Sequence, residues 1–323
     1  MVRLKLIIML AASLLTFSCV QLTSTNPSTE GSEPINREQL ASPAEGLLTL
    51  KFLGLHQLGE KNGDSTLVIT PDGNTVLIDA GNGKNYPQLK ALLEQAGIET
   101  LDYVVFTHFH GDHTGDMKKL TKDFIIGKVL MLDFPEAQGS SAEERDALMK
   151  ILAIQNIPYG YLAAGDILEI APGVDLHCLS PVSPVQYDAT VVDERTRTIY
   201  ENQHSLVFQL RYRNHVFLFA GDIYKETEYE LIQRYGERLR SDVLKVPHHG
   251  LSTSSSTAFL LQVLPSLSVV LSGEPTESTL NSLRYRNRTL TTVAYGTITV
   301  VSDGANLQVI TEHEDTTRGI YSE

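Results

Sequence analysis

Residues 107–113 read Thr107-His108-Phe109-His110-Gly111-Asp112-His113 and follow the apolar run Leu101-Asp102-Tyr103-Val104-Val105-Phe106. That run predicts a buried strand, so the histidines stand where a strand ends and the chain turns. In an extended backbone, side chains two positions apart share a face, which lets His108 and His110 point the same way. Gly111 lets the chain bend and bring Asp112 and His113 back toward the same point. Imidazoles and a carboxylate suit zinc, manganese or iron, and this many ligands indicates two adjacent metals.

Three further apolar runs end in acids or histidines. Thr75-Val76-Leu77-Ile78-Asp79-Ala80-Gly81 ends in an acid and a glycine, and Val216-Phe217-Leu218-Phe219-Ala220-Gly221-Asp222 repeats that design. Asp242-Val243-Leu244-Lys245-Val246-Pro247-His248-His249-Gly250 ends in paired histidines. Because α/β architectures collect active sites at the C-terminal ends of strands, we predict that these motifs converge. For Asp79 alone, a carboxylate that caps a turn is an equally good interpretation.

Together these motifs resemble the metallo-β-lactamase fold superfamily. The matching pieces are His108 to His113, Asp79, Gly221-Asp222 and His249. The stretch from Asn202-Gln203-His204-Ser205-Leu206-Val207 to Leu244-Lys245-Val246-Pro247-His248-His249-Gly250 is similar to the hydrolase domain of ComEC-type competence proteins and to phosphorylcholine esterases. The resemblance covers about residues 48–310 and implies an α+β fold, the four-layer αββα metallo-β-lactamase sandwich.

The resemblance also implies a role for each residue. His108 and His110 would hold one metal, Asp112, His113 and His249 would hold the second, and Asp222 would bridge the two. Asp79 and Asn202 would not bind metal themselves but would orient the side chains that do. Water activated by the metals would be the nucleophile. Asp112 and His248 are the predicted catalytic residues, with His248 facing the substrate and steadying charge on a phosphoryl oxygen or leaving group.

The chain departs from the family pattern at two places. Many members carry another ligand histidine before the Gly-Asp strand, where this chain has Glu201, Asn202 and His204. Asn202 fits the subgroup, and His204 is either a ligand or a bystander. A later Asn-x-Tyr-Gly-His-Pro-like motif is replaced by Ser272-Gly273-Glu274-Pro275-Thr276, which has no histidine. The first departure argues against β-lactamase activity, and the second leaves the substrate open.

Composition and charge limit the partners. The net charge of −13 argues against a general nucleic-acid groove, although DNA stays among the candidate substrates. We therefore predict a small-molecule or polymer phosphoester as the substrate. The histidine content suits two zinc ions, and the carboxylates suit manganese.

The N-terminus resembles a bacterial lipoprotein leader. Arg3 and Lys5 precede an apolar core that is short for a transmembrane helix, and Thr16-Phe17-Ser18-Cys19 resembles a lipobox. An ordinary secretory signal with an incidental cysteine is the alternative. We predict a signal peptide over 1–19 with lipidation of Cys19, a disordered Ser/Thr/Pro/Glu-rich tether over 20–46, and a hydrolase domain over 47–323. The protein would then be a membrane-anchored lipoprotein of the cell envelope that faces outside the cytoplasm.

The pattern of apolar residues predicts the secondary structure. Strands are predicted near 48–56, 65–70, 75–80, 102–107, 128–132, 174–179, 205–212, 215–220, 243–246, 267–271, 297–301 and 306–310. Helices are predicted near 86–96, 142–155, 226–236, 256–263 and 277–285. Turn residues at Pro71-Asp72-Gly73-Asn74, Arg213-Asn214 and Asp303-Gly304 predict three hairpins. Hairpins mixed with helices agree with two packed sheets that have helices outside.

Three functions are compatible with these residues. The favoured one is a metal-dependent hydrolase, binuclear, that cleaves phosphoester bonds as a phosphodiesterase or nuclease-like enzyme. The second is a hydrolase of another ester, lactone or thioester bond, because the fold alone does not choose among these reactions. The third is a non-catalytic metal-binding lipoprotein.

Overall fold

The computed structural model describes residues 46–55, 63–134, 140–185, 191, 193–271, 273 and 275–313. The predicted signal peptide, the lipidated Cys19 and all but the last residue of the predicted tether lie outside the described residues. Within the described ranges, no helix combines the length and the apolar character that crossing a bilayer requires.

Two mixed sheets form the centre of the fold. The eight-stranded sheet has the order β15-β14-β1-β2-β3-β4-β5-β6. Its strands are Leu48–Phe52 (β1), Thr66–Ile69 (β2), Thr75–Ile78 (β3), Thr100–Phe106 (β4), Ile125–Leu132 (β5), Tyr159–Leu162 (β6), Ile298–Ser302 (β14) and Leu307–Thr311 (β15). The seven-stranded sheet has the order β13-β12-β11-β10-β9-β8-β7. Its strands are Ile167–Ala171 (β7), Val174–Ser180 (β8), Val207–Tyr212 (β9), His215–Phe219 (β10), Val243–Lys245 (β11), Leu267–Val270 (β12) and Arg288–Thr291 (β13).

The described helices are distributed along the whole domain. They are Tyr86–Gln95 (α1), Gly111–Thr114 (α2), Met117–Asp123 (α3), Ser140–Gln155 (α4), Glu194–Gln203 (α5), Lys225–Tyr235 (α6), Thr257–Val263 (α7), Glu277–Arg286 (α8) and Thr292–Tyr295 (α9). Short 3₁₀ turns occur over Gly83–Asn85, Gly236–Leu239 and Pro247–Gly250.

The sheets face each other and carry helices on their outer sides. Phe52 of the first sheet stacks on Phe219 of the second, with ring centroids 6.1 Å apart, so aromatic side chains fill the space between the sheets. Leucines of α1, α3 and α4 belong to the large apolar core, which contains residues of both sheets, and α3 contacts β5 of the first sheet. A second apolar cluster joins Leu231 of α6, Phe259 of α7 and Leu283 of α8 to the other sheet. This arrangement confirms the predicted four-layer αββα sandwich.

The order of parallel and antiparallel pairs positions the functional residues. The three predicted hairpins are present, as antiparallel pairs β2–β3, β9–β10 and β14–β15. Strands β3 and β4 are parallel neighbours in one sheet, and β10 and β11 are parallel neighbours in the other. Parallel neighbours end at the same edge of a sheet, so the loops after these four strands come in two adjacent pairs.

Some elements were absent from the sequence prediction. The strands β6, β7 and β13, which are short and alternate irregularly, were not predicted, and neither were the helices α2, α3, α5 and α9. The sequence of α5, Glu-Arg-Thr-Arg-Thr-Ile-Tyr-Glu-Asn-Gln, is almost entirely polar and therefore lacks an apolar period. Its start is nevertheless marked, because the Asp193 side chain accepts a hydrogen bond from Thr196 N in a capping box.

Candidate metal centre

Histidines and aspartates from the ends of four strands meet at one place. Asp79 directly follows β3, the 107–113 motif follows β4, Asp222 follows β10, and His249 follows β11. The rings of His108 and His113 lie 4.1 Å apart between centroids, and those of His113 and His249 lie 5.4 Å apart. The structure therefore brings together the predicted ligands from both sheets.

His108 and His110 form the first pair of candidate ligands. His108 Nε2 lies 3.1 Å from His110 Nδ1, so these two nitrogens face a common point. The opposite nitrogens are held from behind: His108 Nδ1 lies 3.0 Å from Thr107 Oγ1, and His110 Nε2 lies 3.1 Å from Glu201 Oε2. Outer partners of this kind fix the tautomer and the orientation of a metal-binding imidazole.

The short helix α2 delivers Asp112 and His113. It begins directly after His110, whose backbone is still extended, and the amide of His113 donates to His110 O at 2.9 Å. His113 is fully buried, and its Nδ1 lies 2.8 Å from Asp79 Oδ2. Asp79 also accepts hydrogen bonds from the amide and the hydroxyl of Thr107, both at 2.8 Å. Asp79 thus contacts His113 at Nδ1, the nitrogen that points away from the other candidate ligands, as expected for an orienting residue.

His249 approaches from the second sheet. Its Nε2 lies 3.3 Å from Asp222 Oδ2 and 3.5 Å from Asp112 Oδ2, while its Nδ1 lies 3.0 Å from Asp64 Oδ1. The turn that carries it is strained, because His248 and His249 both have a positive φ, of 49° and 53°. Gly273 makes room for this turn, since a Cβ there would lie 2.5 Å from that of His249.

Asp222 lies between the two sheets and is only 2% exposed. Its Oδ2 is 3.4 Å from His113 Nε2 and also faces His249 Nε2. Its Oδ1 is 3.5 Å from the ammonium group of Lys245. Asp222 thus faces nitrogens of two separate motifs, His113 from the 107–113 segment and His249 from the end of β11.

Two buried residues of the centre were missed in the sequence. Asp64 lies within ligand distance of His113, Asp222 and His249. Both of its oxygens have partners, however, since Oδ1 contacts His249 Nδ1 and Oδ2 contacts Lys245 Nζ. We therefore assign Asp64 to orient His249 rather than to bind metal. Asp64 carries no sequence signal of its own, whereas a lysine inside the apolar strand β11 is a signal, because buried lysines are nearly always paired.

His248 lies beside the candidate ligands, with its ring centroid 6.0 Å from that of His249, and is held by two neighbours. Its Nδ1 lies 2.6 Å from Thr253 Oγ1, and its ring stacks on Tyr224 at 4.9 Å. The Tyr224 hydroxyl accepts a hydrogen bond of 3.4 Å from Asn202 Nδ2. Asn202, predicted to support a ligand, thus reaches His248 through Tyr224. Its Oδ1 is buried and has no hydrogen-bond partner among the described residues.

His204 is held outside this cluster. Its Nδ1 lies 2.7 Å from Tyr200 O, and its ring stacks against the rings of Tyr200 and Phe134. Glu201, three residues earlier on the same segment, is the residue that contacts His110. In this structure His204 is therefore the bystander rather than a ligand.

The electrostatics of the cluster favour cations. Burial raises the pKa of Asp222, but His249, His113 and Lys245 outweigh it and hold the pKa well below its ordinary value. Burial opposes protonation of His113 and His249, yet the carboxylates around them raise the pKa of both well above the usual range. Burial, with the neighbouring rings of His113 and His110, lowers the pKa of His108. The aspartates therefore stay ionised and attract positive charge to the facing nitrogens.

These residues fit a divalent metal centre. His113 Nε2 is buried and has no hydrogen-bond partner among the described residues, although Asp222 Oδ2 is near it. Buried polar atoms are normally satisfied, so this nitrogen lacks a partner of the kind that a metal ion would supply. Imidazole nitrogens with carboxylate oxygens form the donor set of zinc and related ions.

A cavity of about 700 Å³ opens beside the cluster. Asp112 and Gly111 of the motif lie on its wall, together with Asn82 and the two lysines Lys84 and Lys119. A substrate in this cavity would therefore be next to Asp112.

The sequence profile of the metallo-beta-lactamase superfamily matches residues 58–274. ComE operon protein 3 of Bacillus subtilis (strain 168) is 28% identical over 261 residues, covering 73% of this chain and 31% of that protein. Competence protein ComA of Neisseria gonorrhoeae is 29% identical over 202 residues, covering 59% of this chain and 24% of that protein. The chain thus spans less than a third of the length of these two relatives.

Among solved structures, a diphosphatase from the PhnP family aligns with a TM-score of 0.47 and 16% identity, covering 79% of this chain and 98% of that one. Membership rests on the profile, which spans well over half of the chain and contains the whole cluster of histidines and aspartates. The chain belongs to the metallo-beta-lactamase superfamily of metal-dependent hydrolases.

Proposed function

We propose that the protein is a binuclear metallo-hydrolase that cleaves phosphoester bonds, most readily phosphodiesters. The observation that carries the proposal is that the donor atoms fall into two sets, with Asp222 Oδ2 facing nitrogens of the second set. His108 Nε2 and His110 Nδ1 form one set, and nitrogens of His113 and His249 with Asp112 Oδ2 form the other. Many enzymes that hydrolyse phosphoesters use two adjacent metal ions to stabilise the attacking and leaving oxygens.

Some of these residues would bind the metal ions, and others would orient the ligand side chains. His108 and His110 would hold one zinc ion, Asp112, His113 and His249 the other, and Asp222 would contact both. When bound, the ions would polarise the phosphoryl group and activate the attacking water. Thr107, Glu201, Asp79 and Asp64 would keep the ligand side chains in their orientations by the contacts described above.

His248 would act on the substrate itself. Its ring is held by Tyr224 and Thr253, and burial lowers its pKa to about 4, so that it is neutral at pH 7. A neutral imidazole with one fixed nitrogen can hold or move a proton at the other nitrogen, Nε2. We assign it to steady charge on a phosphoryl oxygen or on the leaving group.

The choice of a phosphoester over other substrates rests on the residues around the cluster. The paired histidines His248 and His249 are of the ComEC and phosphorylcholine-esterase type. Lys84 and Lys119 are the cationic groups that line the cavity beside Asp112, where the acids Asp116, paired with Lys119 at 2.8 Å, and Glu144 are also present. The acidic net charge of −13 favours a small or single phosphoester group over a long duplex.

We also propose that the protein acts at the cell envelope, anchored through a lipid on Cys19. The N-terminal sequence supports this location. A flexible tether would let the active site reach substrates near the membrane or the cell wall.

The test is a substrate panel on chelator-treated protein reconstituted with zinc or with manganese. We expect hydrolysis of a phosphodiester to return with the metal, while a lactone, a thioester and a β-lactam stay intact. Hydrolysis of one of these three substrates with no cleavage of phosphodiester, phosphomonoester or DNA would overturn the proposal.

A further inference from the structure

Lys245 places an ammonium group inside the metal centre. It is the last residue of β11 and only 4% exposed. Its Nζ donates to Gly221 O at 3.0 Å and forms ion pairs with Asp64 and Asp222. Desolvating a lysine is costly, so a lysine at this depth persists only where its contacts compensate.

These contacts close into a ring of four side chains. Lys245 contacts Asp64, Asp64 contacts His249 Nδ1, His249 Nε2 contacts Asp222 Oδ2, and Asp222 Oδ1 contacts Lys245 again. The members come from the loop before β2, the strand β11 and the ends of β10 and β11, so the ring links the two sheets. Substitution of any one member would therefore alter the contacts that hold the other three.

The ring makes the two oxygens of Asp222 unequal. Oδ1 faces the ammonium group, while Oδ2 faces the nitrogens of His113 and His249 at 3.4 and 3.3 Å. The bond from Lys245 to Gly221 O also holds the backbone directly before Asp222. Rotation of the carboxylate would exchange its oxygens and break the contact with Lys245.

We propose that Lys245 is a positioning residue that presents Oδ2 of Asp222, and not Oδ1, to the metals. The proposal rests on the metal centre of the proposed function and is independent of its substrate. Lys245 itself touches neither the substrate nor the reacting water. Its effect reaches the metals through Asp222 directly and through Asp64 and His249.

A simpler role for Lys245 would be charge balance, in which it only neutralises two buried carboxylates. The two roles differ when the charge is balanced by other means. Asp64→Asn removes one carboxylate but retains an oxygen that can accept from His249. In Lys245→Met/Asp64→Asn the buried charge is balanced again, yet nothing holds Oδ1 of Asp222.

The experiment measures zinc stoichiometry and affinity, by competition with a chelator, together with the thermal midpoint of the metal-free protein. It uses the full chain with Lys245→Met, Asp64→Asn and the double variant. Lys51→Met is the matched control, because Lys51 is a partly buried lysine of β1 that lines a different cavity. We expect Lys245→Met to lose about 10–100-fold in zinc affinity. The double variant should regain thermal stability and still bind zinc more weakly than Asp64→Asn alone.

Two results would contradict this expectation. Wild-type zinc affinity in Lys245→Met, or affinity in the double variant equal to that of Asp64→Asn, would overturn the positioning role. If Lys245→Met does not fold, the comparison of the double variant with Asp64→Asn decides by itself. A wild-type protein that binds no zinc would instead overturn the proposed function, and the two failures are therefore distinguishable.

Discussion

Each of the four candidate ligand histidines has one ring nitrogen that contacts a supporting residue and one that faces the centre of the cluster. The supporting residue is Thr107 for His108, Glu201 for His110, Asp79 for His113 and Asp64 for His249. The inner nitrogens therefore have defined identities: Nδ1 for His110 and Nε2 for the other three. This division makes the centre preorganised, because no imidazole has to choose between tautomers when a metal binds.

The adjacent histidines His248 and His249 should respond differently to truncation. His249→Ala should lose metal, because its Nε2 faces Asp112 and Asp222. His248→Ala should keep its metal and lose turnover on the order of 10²–10³-fold, since the role proposed for its ring is to steady transition-state charge. Metal analysis and steady-state kinetics of both variants check this. Variants with exchanged behaviour would show that the two roles are reversed.

Asp222 should matter to both metals at once. Asp222→Ala should lower the bound metal to one ion or fewer per chain and abolish turnover, because the carboxylate is shared. Asp146→Ala is the control, since that acid is on the surface and pairs with its neighbour Arg145. Metal content and activity are measured on the same preparations. Full occupancy with wild-type activity in Asp222→Ala would exclude Asp222 from the centre.

The sequence predicted those residues that stand in dense motifs, and it missed isolated ones. His108 to His113 carry four coordinating side chains in six positions, a density that surface turns rarely reach. Asp64 is a single acid before a strand, and its role depends on His249, which is 185 positions away. Long-range contacts of this kind arise only when the two sheets pack together.

Among the elements, α2 and α5 show why local patterns succeed or fail. The glycine at 111 indicated a bend, and the structure has a single helical turn there. The helix α5 carries Glu201 and Asn202 to the site, but its polar sequence predicts no buried face. Glu201 and Asn202 are buried where they contact His110 and Tyr224, and the local sequence of α5 does not indicate these distant partners.

Glu228 joins α6 to α7 and makes stability depend on pH. Its buried carboxylate accepts hydrogen bonds from the amides of Ser255 and Ser256, at the start of α7. Burial raises its pKa above the ordinary value of 4.5, against these hydrogen bonds. The folded protein therefore binds a proton more tightly here than the unfolded chain does, and this contribution to stability is lost as the pH rises through the window above 4.5.

The prediction compares the wild type with Glu228→Gln, which cannot ionise and offers one acceptor oxygen instead of two. At low pH the wild type should be more stable by about 1–3 kcal/mol, the cost of an unsatisfied buried group. That advantage should shrink as the pH rises above 4.5, and urea unfolding at several pH values measures it. A difference that grows with pH, or that stays constant, would contradict the raised pKa.

For the molecule as a whole, class and layers were predictable, but the strand order was not. Alternating hairpins and helices with a superfamily motif led to the αββα sandwich, which the structure confirms. The neighbours of β1 include β14, with Leu48 opposite Ser302, and no local pattern indicates such a pair. Strand order depends on which apolar faces pack best over the whole chain, a global property of the fold.

The location of the protein is predicted from its first 46 residues. Cys19→Ser should block lipid attachment and leave the protein unprocessed or free of the membrane, since stable anchoring requires more than one acyl chain. Metabolic labelling with a fatty-acid analogue, followed by membrane fractionation, measures this. A labelled Cys19→Ser protein, or an unlabelled wild type in the cytoplasm, would contradict the anchor.

The most direct measurement of the metal centre is anomalous X-ray diffraction at the zinc edge from crystals of the zinc-loaded protein. The account predicts two peaks on either side of Asp222, one against His108 and His110 and one against Asp112, His113 and His249. A single peak bound directly by Asp64, or no peak at the cluster after zinc loading, would contradict it.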